Sequence, residues 1–155
     1  MLAPIISSLA LSGLINLSYR TKIISQPKAG VASIHMQTRQ DIINFCMTLP
    51  GAYEDYPFAN ITDIGVWTVM RHRGGKKTFA MIFERGGKLC VNLKCDPFEA
   101  DFLRQTYNDV TPGYHMNKTH WNTVVPGGDL PDEELMRMIR HSWNLTLPKT
   151  RILKQ

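Results

Sequence analysis

Residues 88–125 read KLCVNLKCDPFEADFLRQTYNDVTPGYHMNKTHWNTVV, and this stretch decides the fold. Residues 88–95 alternate between apolar and polar side chains, the period of two that is typical of a strand with one buried face. A helix is predicted to follow, because Asp96 can cap its amino terminus and Pro97 suits its first position. Glu99, three residues after Asp96, suggests a capping box.

The helix that starts at Pro97 is predicted to have one apolar face. Helical spacing brings three apolar side chains onto that face, Phe98, Phe102 and Leu103. Its solvent side is expected to carry Glu99, Arg104 and Gln105. A turn at Pro112-Gly113 leads into a polar and aromatic run from Tyr114 to Val124. This run has too many polar groups for a core strand and too many aromatic rings for a loop without a structural or functional role.

Two further strands are predicted before this stretch. Val66–His72 and Lys77–Glu84 read as strands, and Gly-Gly pairs separate them from each other and from residues 88–95. Such pairs supply the positive φ values that tight hairpin turns need. We therefore predict an antiparallel meander of three strands. The residues expected on one face of its middle strand are Phe79, Met81 and Phe83.

Two more helices flank the meander and the central stretch. Thr38, with Asp41 three residues later, predicts the start of a first helix, and Pro50-Gly51 predicts its end. Pro131, followed by three acidic residues, predicts the start of a last helix. The predicted fold class is α+β, with helices packed against an antiparallel sheet made of the three-strand meander and one or more further strands.

The domain organisation follows from composition. The 155 residues suffice for one domain with a full core. Residues 1–35 contain three cations, no acid and no clean period, so we interpret them as an extension and residues 36–155 as the single domain. The uncharged run 2–19 leaves a membrane anchor as the alternative for this extension. The three cysteines have neither disulfide nor zinc spacing, which indicates a cytoplasmic protein.

Four separated motifs resemble the MmcQ/YjbR-like family. They are LPGA at 49–52, YPF at 56–58, NLKCDP at 92–97 and GYHMNKTHW at 113–121, and the resemblance covers residues 36–149. It implies a compact α+β fold similar to the CyaY/frataxin-like sandwich, also called a double wing. It further implies a DNA-binding protein of the bacterial cytoplasm, and it brings no catalytic residue and no cofactor.

A first candidate site is the turn between the first two strands of the meander. Its cations are Arg71, Arg73, Lys76 and Lys77, and Lys118 could extend the same surface. Such a cluster could contact the phosphates of duplex DNA without reading the sequence, since Arg and Lys bind phosphate oxygens. The alternative is a hairpin tip whose charges serve solubility only. The formal net charge of +5 falls to +2 without residues 1–35, which gives weak support to a nucleic-acid partner.

A second candidate site is the central polar run. Its candidate residues are Tyr114, His115, Asn117, His120 and Trp121. They could form a recognition surface or groove for a protein or a small ligand, or a structural network that anchors a loop. The two histidines are five residues apart, so shared metal ligation is not expected. No catalytic motif or cofactor-binding motif is present, and we predict a protein that is not an enzyme.

Overall fold

The helices and strands begin close to the positions that the sequence predicts. The structure is a computed structural model that describes residues 35–59 and 65–148. Most of the predicted extension, including the run 2–19, lies outside these residues. The elements of the described residues are α1 (Arg39–Met47), β1 (Ala52–Asp55), β2 (Thr68–His72), β3 (Thr78–Arg85), β4 (Lys88–Lys94), α2 (Pro97–Thr106), β5 (Val110–Pro112), β6 (Trp121–Val124) and α3 (Asp132–Thr146).

The strands form one antiparallel sheet in the order β1-β2-β3-β4-β6-β5. The predicted meander is β2–β3–β4, and it forms the middle of the sheet. Strand β1 extends one edge, whereas β6 and β5 extend the other. The predicted α+β class with an antiparallel sheet and added strands is confirmed. None of the helices in residues 35–59 and 65–148 is long and apolar enough to cross a membrane.

The helix starts are set by local capping. Thr38 Oγ1 accepts a hydrogen bond from the amide of Asp41 at 3.1 Å, and the Asp41 carboxylate accepts one from the amide of Thr38 at 2.9 Å. This is the predicted capping box. Asp96 Oδ1 caps α2 through the amide of Phe98 at 3.0 Å. Glu99 does not complete a second box, because its carboxylate turns to Arg137 of α3 at 2.5 Å.

The three helices of residues 35–59 and 65–148 all pack on one face of the sheet. The core on this face combines residues from each helix with the strand residues Ala80, Ile82, Val91 and Leu93. Burying large apolar side chains of this kind is the main favourable term in folding. The opposite face, which we call the far face, carries no helix of the described chain, and it is where the candidate site lies.

Strand β4 is buried on both faces, which corrects the prediction of a half-buried strand. The alternate residues Cys90 and Asn92 are buried on the far face, just as Val91 and Leu93 are on the helix face. Strand β4 lies in the middle of the sheet, and residues 113–120 fold back over it. Polar side chains on the far face are therefore shielded from water by another part of the chain.

The predicted common face of Phe79, Met81 and Phe83 is wrong for Phe79. The register between β2 and β3 shifts, so that Ala80 pairs with Met70 whereas Thr78 pairs with Arg71. Phe79 is the extra residue of this bulge, and a bulge re-aims a side chain. Its ring joins the helix-side core and lies 5.2 Å from the ring of His72.

Two side chains of α2 are also placed differently from the prediction. Phe98 is 91% exposed, and Arg104 points inward with 18% of its side chain exposed. Helix α2 packs through Ala100 and Leu103. Since each residue turns an α-helix by about 100°, Phe98 lies about 200° from Ala100, whereas Arg104 returns close to the same direction.

Candidate functional site

The far face is covered by residues 113–120, which we call the covering segment. Asn92 Nδ2 donates to the carbonyl of Tyr114 at 2.8 Å, and the amide of Tyr114 donates to Thr123 Oγ1 at 2.8 Å. Thr123 Oγ1 in turn donates to Asn92 Oδ1 at 2.6 Å. Asn92 and Thr123 face each other on β4 and β6, and both are buried. The segment is thus fixed to the sheet through a closed polar network, which satisfies these buried groups.

Arg104 fixes the other end of the covering segment. Its Nε donates to Asn122 Oδ1 at 2.7 Å, and its Nη2 donates to the carbonyls of Trp121, at 3.2 Å, and Lys118. A guanidinium can serve several acceptors at once because its donors form a planar fork. Gly113 allows the close approach of the chain here, since a Cβ atom on it would lie 2.7 Å from Trp121 Cβ.

A pocket of about 440 Å³ opens between the covering segment and the start of β2. Its lining residues are Phe58, Trp67, Met81, Glu84, Arg85, Tyr114, His115 and Met116. Most of them present aromatic rings or thioether side chains. Because Met81 projects from the far face of β3, it forms part of the floor, and the covering segment forms one wall. The volume lies in the range of about 300–1,000 Å³ that is usual for small-molecule sites.

Three aromatic rings beside this pocket have nearly parallel planes, whereas the lining ring of Phe58 meets Trp67 edge-on at an interplanar angle of 77°. Trp67 stacks on Phe83 with ring centroids 4.1 Å apart and an interplanar angle of 6°. Phe83 stacks on Tyr114 at 5.7 Å and 23°. Phe83 is fully buried, whereas Trp67 and Tyr114 are partly exposed and line the pocket. The pocket therefore has an aromatic wall in which Trp67 and Tyr114 each turn one ring face to Phe83.

The pocket rim carries both positive and negative side chains. The Arg85 guanidinium carbon lies 4.3 Å from the centre of the Tyr114 ring, in a cation–π contact. Lys88 pairs with Arg85 across β3 and β4, so both project toward the far face. The Glu84 carboxylate is 3.6 Å from Arg39 Nη2. Among the described residues, the rim therefore has excess positive charge near Tyr114.

His115 adopts a left-handed backbone conformation with φ of 54°. Such a conformation costs an L-residue about 1 kcal/mol, although His tolerates it better than most residues. Its ring lies 4.0 Å from the Tyr114 ring, and the residue is exposed at the rim. Uncommon backbone conformations of this kind cluster at functional sites.

The residues predicted in the central run are only partly brought together. Tyr114 and His115 line the pocket, whereas Asn117 and His120 form an exposed turn in which the amide of His120 donates to the Asn117 carbonyl at 3.1 Å. Trp121 is buried at the start of β6, with 9% of its surface exposed. The run therefore combines a pocket wall with a structural turn.

The predicted basic cluster is smaller than its sequence suggests. Arg71 Nε donates to Asp55 Oδ2 at 2.6 Å, and its Nη1 donates to the Lys76 carbonyl at 2.7 Å. Its side chain is 20% exposed, so its charge is largely neutralised locally. The exposed cations of the turn are Arg73, Lys76 and Lys77. We call these three residues the basic turn.

Lys118 lies in a different loop from the basic turn, and His72, which precedes Arg73 in the sequence, is buried. Lys118 lies in the covering segment, where its carbonyl accepts from Arg104, and strand β4 separates β6 from β3 in the sheet. His72 is buried, and its Nε2 lies 2.8 Å from Thr146 Oγ1. Burial, together with the nearby charge of Lys77, lowers the pKa of His72.

The three cysteines are free and buried. Burial raises the pKa of the Cys46 and Cys95 thiols to about 12, and it raises the pKa of Cys90 as well. Thiols in such surroundings are inert fillers rather than nucleophiles. Across residues 35–59 and 65–148, no three His, Cys, Asp or Glu side chains come together as a metal site.

Several lining residues cannot be predicted from the central run because they are far from it in the sequence. Trp67, Met81 and Arg85 come from β3 and the chain before β2. The alternation of β3 does predict that Met81, Phe83 and Arg85 share a face. The alternation of β3 does not predict that residues 113–120 fold back over this face.

The chain is similar in sequence to a family model and to bacterial proteins. The family model named YjbR matches residues 47–145. The uncharacterized protein YjbR of Escherichia coli K12 is 32% identical over 106 residues, which is 68% of this chain and 84% of that protein. The uncharacterized protein YyaQ of Bacillus subtilis 168 is 32% identical over 121 residues, which is 72% of this chain and 99% of that protein.

Two solved structures are similar to this one. The crystal structure of Deinococcus radiodurans protein DR2400, a DUF419 domain, matches with a TM-score of 0.64 and 32% identity over 74% of this chain and 81% of that chain. A crystal structure of a Pseudomonas syringae protein matches with a TM-score of 0.61 and 28% identity. That match covers 71% of this chain and 99% of the other.

Proposed function

The chain belongs to the YjbR family, and we propose that it is a non-catalytic binding protein that holds a small ligand in the far-face pocket. The observation that carries this proposal is a concave site of about 440 Å³ with an aromatic wall and a floor of methionine. Polar groups are confined to the rim, as is usual for small-molecule sites. Methionine supports the same role, because its flexible side chain adapts to different ligands.

Binding rather than thiol-based catalysis is supported by the chemistry of the cysteines. The thiols of Cys46, Cys90 and Cys95 are buried, and burial raises the pKa of each. Protonated thiols are poor nucleophiles. The lining instead offers stacking surface from Trp67 and Tyr114, which favours retention of a ligand over its conversion.

The proposal is tested by filling the pocket. A library of small aromatic and aliphatic fragments is screened by saturation-transfer NMR against the full chain and against Met116→Trp, which adds bulk at the pocket wall. The matched control is Met47→Trp, because Met47 is an exposed methionine of α1 on the other side of the sheet. We expect fragments that bind the full chain and Met47→Trp but not Met116→Trp. No binding fragment, or equal binding to all three proteins, contradicts the proposal.

A second candidate function is weak, sequence-independent contact with duplex DNA through the basic turn. Its support is the exposure of Arg73, Lys76 and Lys77 on one tip. Cations of this kind supply the phosphate contacts of non-specific binding.

The DNA hypothesis is tested with Arg73→Gln, Lys76→Gln and Lys77→Gln combined in one variant. Arg71 is left intact because it is bonded to Asp55. The variant should bind every duplex more weakly, and the slope of log affinity against log salt should fall by up to about 0.9 for each phosphate that it no longer neutralises. Lys88→Gln, at the opposite hairpin tip, is the control. Wild-type protein without duplex binding at low salt, or a variant with an unchanged slope, excludes this role.

A further inference from the structure

We propose that the ligand of the far-face pocket is a planar aromatic carboxylate, whose ring lies against Trp67 and Tyr114 and whose anionic group meets Arg85. This inference rests on the proposed function, because it names the chemistry that the same pocket selects. It follows from three features of the described residues: the orientation of the rings, the sign of the rim charge and the position of His115.

The ring orientation selects a flat ligand. Trp67 and Tyr114 each stack on the buried ring of Phe83, at interplanar angles of 6° and 23°. Both also line the pocket, and because each turns one face to Phe83, a ligand meets their remaining faces and their edges. Aromatic rings favour offset stacking or edge contacts with other rings, and a planar ligand can make these without distortion. A saturated, puckered ring of the same carbon number fits such a wall less well.

The rim charge selects an anion. Arg85 lies over Tyr114 at 4.3 Å, and this contact holds its guanidinium beside the aromatic wall. Lys88 faces it across the strand pair. Among the described lining residues the carboxylate is that of Glu84, and it lies 3.6 Å from Arg39 Nη2. A planar guanidinium binds a carboxylate through two parallel hydrogen bonds, which a neutral amide cannot reproduce.

His115 adds a second donor on the same rim. Its left-handed backbone conformation, with φ of 54°, places the ring 4.0 Å from Tyr114, on the covering segment. Arg85 also contacts the Tyr114 ring. Tyr114 is therefore in contact with two side chains that can each donate a hydrogen bond to an anion.

The inference is tested with three probes of closely matched size. They are naphthalene-2-carboxylate, the neutral naphthalene-2-carboxamide, and the saturated decahydronaphthalene-2-carboxylate, each titrated into the full chain by calorimetry. We expect the aromatic carboxylate to bind about fivefold more tightly than the amide, the range for a partly exposed ion pair. We expect it to bind roughly three- to tenfold more tightly than the saturated acid, since the latter cannot stack as an aromatic ring does.

Variants at the rim test whether Arg85 causes the preference for the carboxylate over the amide. Arg85→Gln should reduce the ratio between carboxylate and amide to about one while leaving amide binding in place. Arg85→Lys keeps the charge but removes the planar fork, so an intermediate ratio is expected. The matched control is Arg73→Gln, an exposed arginine of the other hairpin tip. It should leave all three affinities unchanged.

The outcomes separate this inference from the function on which it rests. If the amide binds as tightly as the carboxylate, or the ratio survives Arg85→Gln, the anionic class is wrong and the pocket remains a binding site for neutral ligands. If the saturated acid binds as well as the aromatic one, planarity is not selected. If no probe binds and the fragment screen also fails, both the inference and the proposed function are overturned.

Discussion

Arg104→Met should destabilise the protein by about 3 kcal/mol, because Arg104 is the side chain that holds the covering segment to α2. Its guanidinium serves Asn122 Oδ1 at 2.7 Å and the carbonyls of Trp121 and Lys118. A hydrogen bond to a charged group contributes about 1.5–3 kcal/mol. The bond to Lys118 is exposed, so water can replace it, and the two part-buried bonds at the lower figure of about 1.5 kcal/mol each give about 3 kcal/mol.

The ion pair of Arg104 with Asp101 adds little to this magnitude. Asp101 is 71% exposed at its side chain, and pairs at the surface contribute at most about 1 kcal/mol. Methionine keeps most of the apolar stem of arginine, so the variant isolates the effect of removing the hydrogen bonds. For a domain of this size a destabilisation of about 3 kcal/mol corresponds to a decrease in Tm of about 10 °C.

The assay is urea unfolding followed by circular dichroism, with amide hydrogen exchange as the second readout. Exchange should accelerate at Gly113, Met116 and His120, whose amides are bonded within or beside the covering segment. Arg73→Met is the matched control, because Arg73 is exposed on the basic turn. A destabilisation below about 0.5 kcal/mol for Arg104→Met, or unchanged exchange in the segment, would show that the Arg104 hydrogen bonds do not hold the covering segment.

Three further predictions concern single residues. Trp121→Ala should destabilise by roughly 3–5 kcal/mol in urea unfolding, since Trp121 is buried; unchanged melting would show an exposed ring. Burial, together with Lys77, lowers the pKa of His72 from its ordinary 6.5, so the imidazole takes up a proton more readily in the unfolded chain than in the folded one. The free energy of unfolding should therefore fall as the pH drops below about 6.5, and His72→Gln should remove that component; an identical pH profile for both proteins would contradict it. His115→Gly should raise stability by about 1 kcal/mol, by relieving the positive φ, while weakening carboxylate binding; a decrease in stability would show that the conformation carries no strain.

The sequence predicts those parts of the fold that depend on neighbours along the chain. Thr38 and Asp96 cap helices because their side chains reach amides two or three residues away. The strands of the meander follow from alternation and from glycine pairs at the turns. These are short-range effects, and the observed bounds differ from the predicted ones by one or two residues.

The misplaced side chains depend on packing between distant elements. The apolar character of Phe98 predicts a buried ring, yet α2 packs through Ala100 and Leu103 and leaves Phe98 on its outer side. The charge of Arg104 predicts an exposed side chain, yet it finds three acceptors in and beside the covering segment. Phe79 is turned to the helix face by a bulge whose position the alternation does not reveal.

The candidate site shows the same division. Tyr114 and His115 can be singled out from the sequence, because aromatic and polar residues rarely gather in a loop without a role. Their partners Trp67 and Met81 cannot, since they meet only when residues 113–120 cover the far face. The sequence overstates the basic cluster for a related reason, as Asp55 of β1 neutralises Arg71 from 16 residues away in sequence.

The central claim, that the far face holds a ligand pocket, is tested most directly by intermolecular nuclear Overhauser effects. The full chain, labelled at its methionine methyl groups, is saturated with naphthalene-2-carboxylate. We expect contacts from the ligand ring to the methyls of Met81 and Met116, which line the pocket, and none to the exposed Met47 of α1. Contacts to Met47 in place of Met81 and Met116, or no intermolecular contact at saturating ligand, would contradict it.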